Sequence, residues 1–571
     1  MLLVGVLLHY LFPLLSLPEK RAGFFDDGGL SLLKSFPLVS LVPVKAIQPS
    51  LHDNTADLDR LKSALTESLP EQLRRCSCSI RIPFACMAKI AASFRAAGFA
   101  GYAVVQYEYD RLVLVDFVAE QPELLPALAL DLGSTHLEAT LLDLLTDKAL
   151  ARNAALNRQV SHGADILSRM HFAERKKGGG NEREGEGLAV LQDAVIASIN
   201  ELLDELCRET GVRPEDVQAV SVSGNTTMVH LLLGLSPRHI CREPYIPLVN
   251  APDPFLAREI GLKLHKQARV WVLPGRGSYF GGDLISGILA TGLDQTEKIC
   301  MLIDVGTNAE VVMGNNEWLI ACAGAAGPAL EGGVARMGMR AAAGAVEHVA
   351  IDRENWQLSW RSIGGGPPLG LCGSGLIDLV AELYLARIVD LRGKFQAAFP
   401  GQSAEHKRFV EERLLELDGE QVFQVVVAGE AGNKEPVVLS QLDLDAMMRS
   451  KAAMYAILVT LIGQVGVEFS DLHRISVAGA FGKHINPRQA ITLGMLPDLP
   501  LSTFEPVGNS SLRGAEMILL DHAAFERSQE IARKITYIEL NVNQEFMIRF
   551  SGSRFIPHTD PGLFPSVSSF R

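Results

Sequence analysis

The chain is poor in aromatic residues and in paired cysteines, and both shortages restrict the kind of protein it encodes. Only 6% of its 571 residues are Phe, Trp or Tyr, and its eight cysteines are scattered without the spacing of a disulfide framework. Unpaired cysteines spread over a long chain are typical of reduced intracellular thiols. We therefore expect a cytoplasmic protein.

The chain also lacks an excess of positive charge and an apolar run that could cross a bilayer. Its formal net charge is −13 at pH 7, which argues against a surface for nucleic acid. The most apolar stretch, residues 1–17, has no Lys or Arg before it and is interrupted by His9 and Pro13. This stretch is too short to span a membrane. It is therefore expected to be a packed extension, or to result from a start codon assigned too far upstream, and not to be a signal for export or a membrane anchor.

No cysteine pattern for a metal cluster is present either. Cys76, Cys78 and Cys86 lie close together, but their spacing matches neither the zinc nor the ferredoxin patterns. No cysteine follows Cys372, so no C-terminal ferredoxin domain is expected. We therefore predict that these cysteines are ordinary thiols and that the chain has no ligand set for an iron–sulfur cluster. Cys372 lies at a predicted helix start, where it is either a stabilised thiolate or a small packed side chain.

The chain is long and contains many glycines. It exceeds the roughly 250–300 residues at which a single core stops growing, which predicts two to four domains. A hydrophobic fraction of 48% together with 51 glycines is typical of an α/β protein with close backbone turns. Near residues 38–120, two predicted helices and a hairpin indicate a small α+β domain.

Two stretches share one pattern, in which an apolar strand ends in Asp-x-Gly followed by hydroxyl or amide side chains. The glycine is predicted to take a positive φ in a tight turn, so that backbone N–H groups point at a phosphate. Each aspartate, at the end of its strand, is placed to hold a hydrated Mg²⁺. The two stretches are residues 128–135, with Asp131, Gly133, Ser134 and Thr135, and residues 300–308, with Asp304, Gly306, Thr307 and Asn308.

Further glycine turns follow each stretch and suggest an internal repeat. Each half opens with Asp-x-Gly and closes with a strand, a glycine and a helix, whose N-terminus suits a phosphate. No G-x-x-x-x-G-K-[ST] motif occurs, which excludes a Walker-type site. The turns contain Gly224, Asn225 and Thr226 in the first half, and Gly327, Glu331, Gly479, Phe481 and Gly482 in the second.

These motifs resemble the superfamily of acetate and sugar kinases, heat-shock chaperones and actin. The resemblance implies an α/β fold of two ribonuclease-H-like halves, as in actin-like ATPases, around a cleft for ATP and Mg²⁺. It implies two phosphate loops at Asp131 and Asp304, which would hold magnesium through water, and an adenosine loop from Gly479 to Gly482. Backbone N–H groups of Gly133 and Gly306 would take developing phosphate charge. Glu331 is the candidate for orienting the attacking water, or else a loop glutamate.

Other stretches narrow the resemblance to the ATP-dependent reductive activators of corrinoid proteins. They lie at residues 159–169, 223–228, 243–247, 281–285, 327–332 and 371–375, with a stretch resembling the linker domain at residues 49–58. Members of this family also carry an iron–sulfur domain, for which we find no ligand set. By resemblance, the partners are a corrinoid protein of methyl transfer and an external, ferredoxin-like low-potential electron donor, and a homodimer is conceivable.

The expected domains follow from the motifs and the resemblance together. They are an apolar extension (1–37), a small α+β linker domain (38–124), two ATPase halves (125–299 and 300–555) and a C-terminal tail (556–571). The expected function is an ATP-hydrolysing activator that helps reduce cob(II) to cob(I). Two alternatives stay open, namely a non-redox ATP-dependent chaperone or binding module for a corrinoid protein, and a sugar-kinase-type phosphotransferase. Asp283 is either a further carboxylate near the site or a helix cap.

Overall fold

The structure is a computed structural model. It describes residues 36–70, 79–109, 111–163, 165–174, 186–306, 308–324, 335–339, 341–479, 482, 485–540 and 543–568. Strands and helices are numbered below in chain order.

The first part of the chain forms a four-stranded sheet with two helices on it. Strands β3 and β4 are the predicted antiparallel hairpin, and the order across the sheet is β1-β3-β4-β2. Helices α1 and α2 pack on the sheet through side chains such as Leu61 and Phe94, which are fully buried. The elements are β1 (Val39–Lys45), α1 (Asp57–Ser68), β2 (Ser79–Arg81), α2 (Phe84–Ala96), β3 (Ala100–Glu108) and β4 (Arg111–Val118).

The second part forms a six-stranded sheet of order β7-β6-β5-β8-β10-β9. Its strands are β5 (Pro126–Leu132), β6 (His136–Asp143), β7 (Lys148–Leu156), β8 (Ala219–Gly224), β9 (Phe255–Leu256) and β10 (Arg269–Val272). Its helices are α3 (Ile166–Ala173), α4 (Glu186–Thr210), α5 (Thr226–Leu232) and α6 (Gly282–Thr291).

The third part contains another six-stranded sheet and two sheets of three strands. The large sheet has the order β21-β20-β11-β12-β13-β22. The strands are β11 (Cys300–Val305), β12 (Ala309–Gly314), β13 (Leu319–Gly324), β14 (Ala345–Asp352), β15 (Gln357–Ser362), β16 (Gly370–Leu371), β17 (Leu414–Leu417), β18 (Glu420–Val426), β19 (Val437–Ser440), β20 (Arg474–Ala478), β21 (Phe504–Gly508) and β22 (Ile535–Ile538). The helices are α7 (Gly373–Leu385), α8 (Ala404–Arg413), α9 (Gln441–Val465), α10 (Pro487–Leu493), α11 (Ser510–Leu520), α12 (His522–Lys534), α13 (Gln544–Gly552) and α14 (Pro565–Ser568).

The two six-stranded sheets repeat one topology. In each, a central strand forms an antiparallel hairpin with the next strand and pairs in parallel with a later one: β5 with β6 and β8, and β11 with β12 and β20. The sixth strand is added at opposite edges of the two sheets: β9 lies antiparallel to β10, beyond the parallel partner strand, whereas β22 lies parallel to β13, beyond the hairpin. The predicted fold class, two similar α/β halves after a small α+β unit, is confirmed.

Helices α6 and α11 pack against each other beside the two sheets. Although α11 comes late in the chain, it also contacts β5 and β8 of the earlier sheet. The close approach needs small residues, since a Cβ on Gly514 would lie 2.4 Å from the Cβ of Ser286. Both helices contribute to the hydrophobic core that includes the four-stranded sheet. The C-terminal part of the chain thereby reaches the strands that carry the first Asp-x-Gly stretch.

Helix α9 is long and apolar, and it is the central core helix of the third part. Among the residues that the structure describes, it alone is long and apolar enough to cross a membrane by length and composition, yet 83% of its most apolar stretch is buried inside the protein. A fully buried lysine, Lys451, lies in this helix. Its Nζ donates hydrogen bonds to the carbonyl oxygens of Phe555 (2.5 Å) and Pro557 (2.6 Å), which fixes the C-terminal segment on the helix.

Replacing Lys451 by methionine is expected to lower the free energy of unfolding by about 1–3 kcal/mol above the ordinary pKa of lysine, because two buried carbonyls lose their donor. Burial lowers the pKa of Lys451 well below its usual value, and a neutral amine has two N–H groups for the two carbonyls. At pH values between the folded and unfolded pKa of this lysine, the unfolded state binds more protons than the folded state. The stability of the wild type therefore increases with pH across this range, and it is lost as the pH falls towards the folded pKa. Melting midpoints of both proteins from pH 6 to 9 test this; a difference that does not grow with pH contradicts it.

Candidate functional site

The two six-stranded sheets and their connecting loops line a cleft of about 950 Å³. This is within the size range of small-molecule sites. Both Asp-x-Gly stretches line the wall of this cleft, although their aspartates, Asp131 and Asp304, are 173 positions apart in the sequence. The predicted residues on the wall are Asp131, Gly133, Ser134, Thr135, Asn225, Asp304, Gly306, Asn308 and Gly479.

The first stretch is the turn between β5 and β6, as the sequence indicates, but its glycine has a different role from the predicted one. Gly133 does not take a positive φ; a Cβ at this position would lie 2.3 Å from the carbonyl oxygen of His136. The turn therefore needs glycine for space and not for backbone conformation. Asn157 supports the turn from outside, since its backbone N–H donates to Thr135 O (2.8 Å) and its Nδ2 donates to Gly133 O (3.1 Å).

The second stretch is the turn between β11 and β12, and its glycine N–H is used inside the turn. The N–H of Gly306 donates to the carbonyl oxygen of Asn308 (2.9 Å), whereas the resemblance implies that it takes developing phosphate charge. Gly479, after β20, packs against this turn with a φ of +80°. A Cβ on Gly479 would lie 2.9 Å from Asp304 Oδ1, so the glycine is what leaves room for the Asp304 carboxylate.

The carboxylate of Asp131 is held from the opposite part of the chain. Ser511 Oγ donates to Asp131 Oδ1 (2.6 Å), and Asn509 Nδ2 donates to Asp131 Oδ2 (2.9 Å). The same Asn509 amide donates to Glu138 Oε2 (2.6 Å), while its Oδ1 caps α11 by accepting the N–H of Leu512 (2.8 Å). Asn509 therefore fixes the start of α11 and two carboxylates of β5 and β6 at once.

Two carboxyl groups on the wall have raised pKa values. Burial raises the pKa of Asp131 to about 6, against the lowering effect of its hydrogen bonds to Ser511 and Asn509. Burial, with the charge of Asp131 nearby, raises the pKa of Asp283 to about 6. Asp283 is not the cap of α6, since the N-cap residue is Gly281; its Oδ1 accepts the N–H of Leu284 (2.9 Å). A carboxyl group whose pKa is raised by the charge of another carboxylate suits a nearby cation.

The other predicted residues lie elsewhere. Thr226 Oγ1 donates to Gly277 O (3.1 Å), and Gly224 packs on Leu132. Gly482 is buried, with its Cβ position 2.3 Å from Val477 O. Thr307, Gly327, Glu331 and Phe481 lie outside the described residues.

Sequence reasoning missed the contribution of α11. Gly508-Asn509-Ser510-Ser511 begins on the last residue of β21, just as Gly224-Asn225-Thr226-Thr227 begins on the last residue of β8, and in both the asparagine side chain caps the next helix. This second copy of a predicted motif was visible in the sequence. It brings Asn509, Ser511, Arg513 and Glu516 to the cleft wall.

The cysteines of the described ranges are free thiols. Cys372 lines the cleft, but it is buried and its Sγ donates to Val346 O (3.2 Å), as a packed side chain would. Burial raises the pKa of Cys86, and Cys76 and Cys78 lie outside the described residues. In the part of the chain that the structure describes, no three His, Cys, Asp or Glu side chains are grouped to bind a metal ion.

Comparison with known families covers nearly the whole chain. A family model described as the C-terminal domain of RACo, the ASKHA domain, matches residues 298–568. Models of the RACo middle region and the RACo linker region match residues 126–296 and 33–119.

Individual relatives agree with the family models. Corrinoid activation enzyme RamQ of Eubacterium limosum is 29% identical over 437 residues, which are 76% of this chain and 71% of that protein. A [Co(II) methylated amine-specific corrinoid protein] reductase of Methanosarcina barkeri is 22% identical over 423 residues, 72% of each chain. The solved structure of a reductive activator for corrinoid, iron-sulfur protein is 36% identical and superposes with a TM-score of 0.83, covering 94% of this chain and 81% of that one. The chain therefore belongs to the RACo family of reductive activators of corrinoid proteins.

Proposed function

We propose that this chain binds Mg-ATP in the cleft and uses it to help reduce cob(II) to cob(I) on a corrinoid protein of methyl transfer, with the electron supplied by a separate low-potential donor. One observation carries the nucleotide part: two Asp-x-Gly turns, on two sheets of the same topology, line a single cleft. The corrinoid part rests on the family and on relatives named for corrinoid activation. Such chemistry fits the reducing cytoplasm.

The residues of the cleft fit a magnesium-bound nucleotide. Asp131 and Asp304 would hold the cation through its water shell, and the missing side chain of Gly479 gives the Asp304 carboxylate the room it occupies. The side chains of Ser134, Thr135 and Asn308 supply polar groups at the two turns. A bound cation supplies neutralisation of phosphate charge.

Asp283 is the candidate that orients and deprotonates the attacking water. It is the second residue of α6 and lines the cleft, and a carboxyl group with a pKa of about 6 is well matched to general-base catalysis near neutral pH. Glu331, the residue chosen from the sequence, remains a candidate outside the described residues.

ATP is needed because reduction to cob(I) is uphill for physiological donors. Each 59 mV of a one-electron gap is a factor of ten in the equilibrium. A nucleotide can change such an equilibrium only through a difference in affinity between two states. Closure of the two sheets on Mg-ATP, transmitted through α11, would give the chain different affinities for two states of the corrinoid protein.

The test is cob(II) reduction on a purified corrinoid protein. The chain, Mg-ATP and a low-potential donor together are expected to abolish the cob(II) electron paramagnetic resonance signal, whereas omission of any one of the three leaves it. Equal reduction by the donor without the chain would overturn the proposal. Phosphorylation of a small metabolite would instead favour a phosphotransferase, and ATP-dependent binding without a change at cobalt would favour a non-redox binding module.

A further inference from the structure

We infer that a buried chain of three serine hydroxyls, Ser286, Ser223 and Ser511, positions the carboxylate of Asp131 to hold the magnesium shell. The inference rests on the proposed binding of Mg-ATP and adds positioning residues to that site. Ser286 and Ser511 carry no role in the sequence-based prediction of the cleft, and Ser223 appears there only within the stretch 223–228 that resembles the family.

The hydroxyls form one continuous set of hydrogen bonds. Ser286 Oγ donates to Ser223 Oγ (2.8 Å), Ser223 and Ser511 hydroxyls are 2.8 Å apart, and Ser511 Oγ donates to Asp131 Oδ1 (2.6 Å). Each hydroxyl has one proton to donate. Because Ser511 gives its proton to the carboxylate, Ser223 must donate to Ser511, so every proton in the chain points towards Asp131.

Burial preserves the direction of these hydrogen bonds. Ser286 and Ser223 are fully buried and Ser511 is 6% exposed, so water has little access to the hydroxyls. Hydrogen bonds in a buried chain polarise one another, and the bond to the charged end is the strongest. The chain therefore acts as one directed donor to Asp131 Oδ1.

The four groups stand on four different elements. Ser286 belongs to α6, Ser223 to β8, Ser511 to α11 and Asp131 to β5. Asn509 holds the second oxygen of the same carboxylate (2.9 Å), so rotation of Asp131 is prevented from both sides. Each carboxylate oxygen still has a lone pair for a water of the magnesium shell.

A displacement of α11 relative to α6 and β8 would break this set and free the Asp131 side chain. The affinity of the cleft for the cation therefore depends on the position of α11 relative to α6 and β8. Ser511 is a positioning residue for this site, and Ser223 and Ser286 act through it.

The test measures binding of a non-hydrolysable ATP analogue by calorimetry, in Mg²⁺ and in EDTA. In Ser511→Ala the gain in affinity that Mg²⁺ provides should shrink about tenfold, because the carboxylate loses a charge-assisted hydrogen bond, while affinity in EDTA stays close to wild type. Ser223→Ala should give a smaller loss and Ser286→Ala the smallest, since each lies one step further from Asp131.

Ser221→Ala is the matched control. Ser221 is also fully buried on β8 and bonds α11, but its hydroxyl donates to Ala515 O (2.7 Å) and not to the serine chain. It should leave the Mg²⁺-dependent gain unchanged. An equal loss in Ser221→Ala, or no loss in both Ser511→Ala and Ser223→Ala, would overturn the positioning role while the proposed function stands. A wild-type chain that binds no nucleotide would overturn the proposed function, and the positioning role with it.

Discussion

Replacing Asp283 by asparagine is expected to slow ATP hydrolysis by about 100- to 10,000-fold while nucleotide affinity changes little. Asparagine keeps the shape of the side chain but cannot accept a proton from water. Because the Asp283 carboxyl is buried beside Asp131, loss of its charge also removes a repulsion between them. The melting midpoint of Asp283→Asn at pH 7 should therefore be no lower than that of the wild type, which separates lost chemistry from lost folding.

The pH dependence of kcat/KM gives a second sign of the same role. A general base must be ionised, so kcat/KM of the wild type should fall as pH drops below about 6, where Asp283 and Asp131 become protonated. This fall belongs to the pair and not to one residue. In Asp283→Asn the kcat/KM of the remaining slow reaction should decrease less as the pH drops, since only Asp131 still titrates in this range.

Glu516→Gln is the matched control for Asp283→Asn. Glu516 is another carboxylate on the cleft wall, but its Oε1 already accepts the hydroxyl of Thr140 (2.6 Å). We expect a change of only a few fold in ATP hydrolysis. Hydrolysis by Asp283→Asn within a few fold of the wild type would remove Asp283 as the general base.

The sequence predicts the parts of the fold that depend on local pattern. An apolar strand followed by Asp-x-Gly is recognisable within eight residues, and the hairpins at Asp131 and Asp304 are both present. The repeat of a hairpin followed by a strand, a turn and a helix was also readable, because each unit is continuous in the chain. These local signals suffice for two α/β halves.

What the sequence could not supply depends on contacts between distant segments. The serine and asparagine that hold Asp131 come from α11, about 380 positions later, and only the packing of α11 on β5 and β8 brings them together. The roles of single glycines were also hidden. Gly133 is required by a neighbouring carbonyl oxygen and not by its φ, and the Gly306 N–H is consumed within its own turn.

Gly479→Ala is expected to lower ATP turnover by about 100-fold. Gly479 has a φ of +80°, and an added methyl group would lie 2.7 Å from Val305 O and 2.9 Å from Asp304 Oδ1. Backbone atoms of β11 cannot yield easily, so the Asp304 carboxylate or the turn after β20 must shift. A displacement of about 1 Å in a positioned group can cost about 100-fold in rate.

Gly508→Ala isolates the cause of that loss. Gly508 also lines the cleft with a positive φ, +65°, but an added Cβ there meets no atom within 4 Å. Both variants therefore carry a similar backbone strain of about 1–2 kcal/mol, and only Gly479→Ala adds the collision with Asp304. Steady-state hydrolysis and calorimetric nucleotide binding should place Gly508→Ala within a few fold of the wild type. Equal losses in the two variants would mean that backbone strain, and not the space beside Asp304, limits the site.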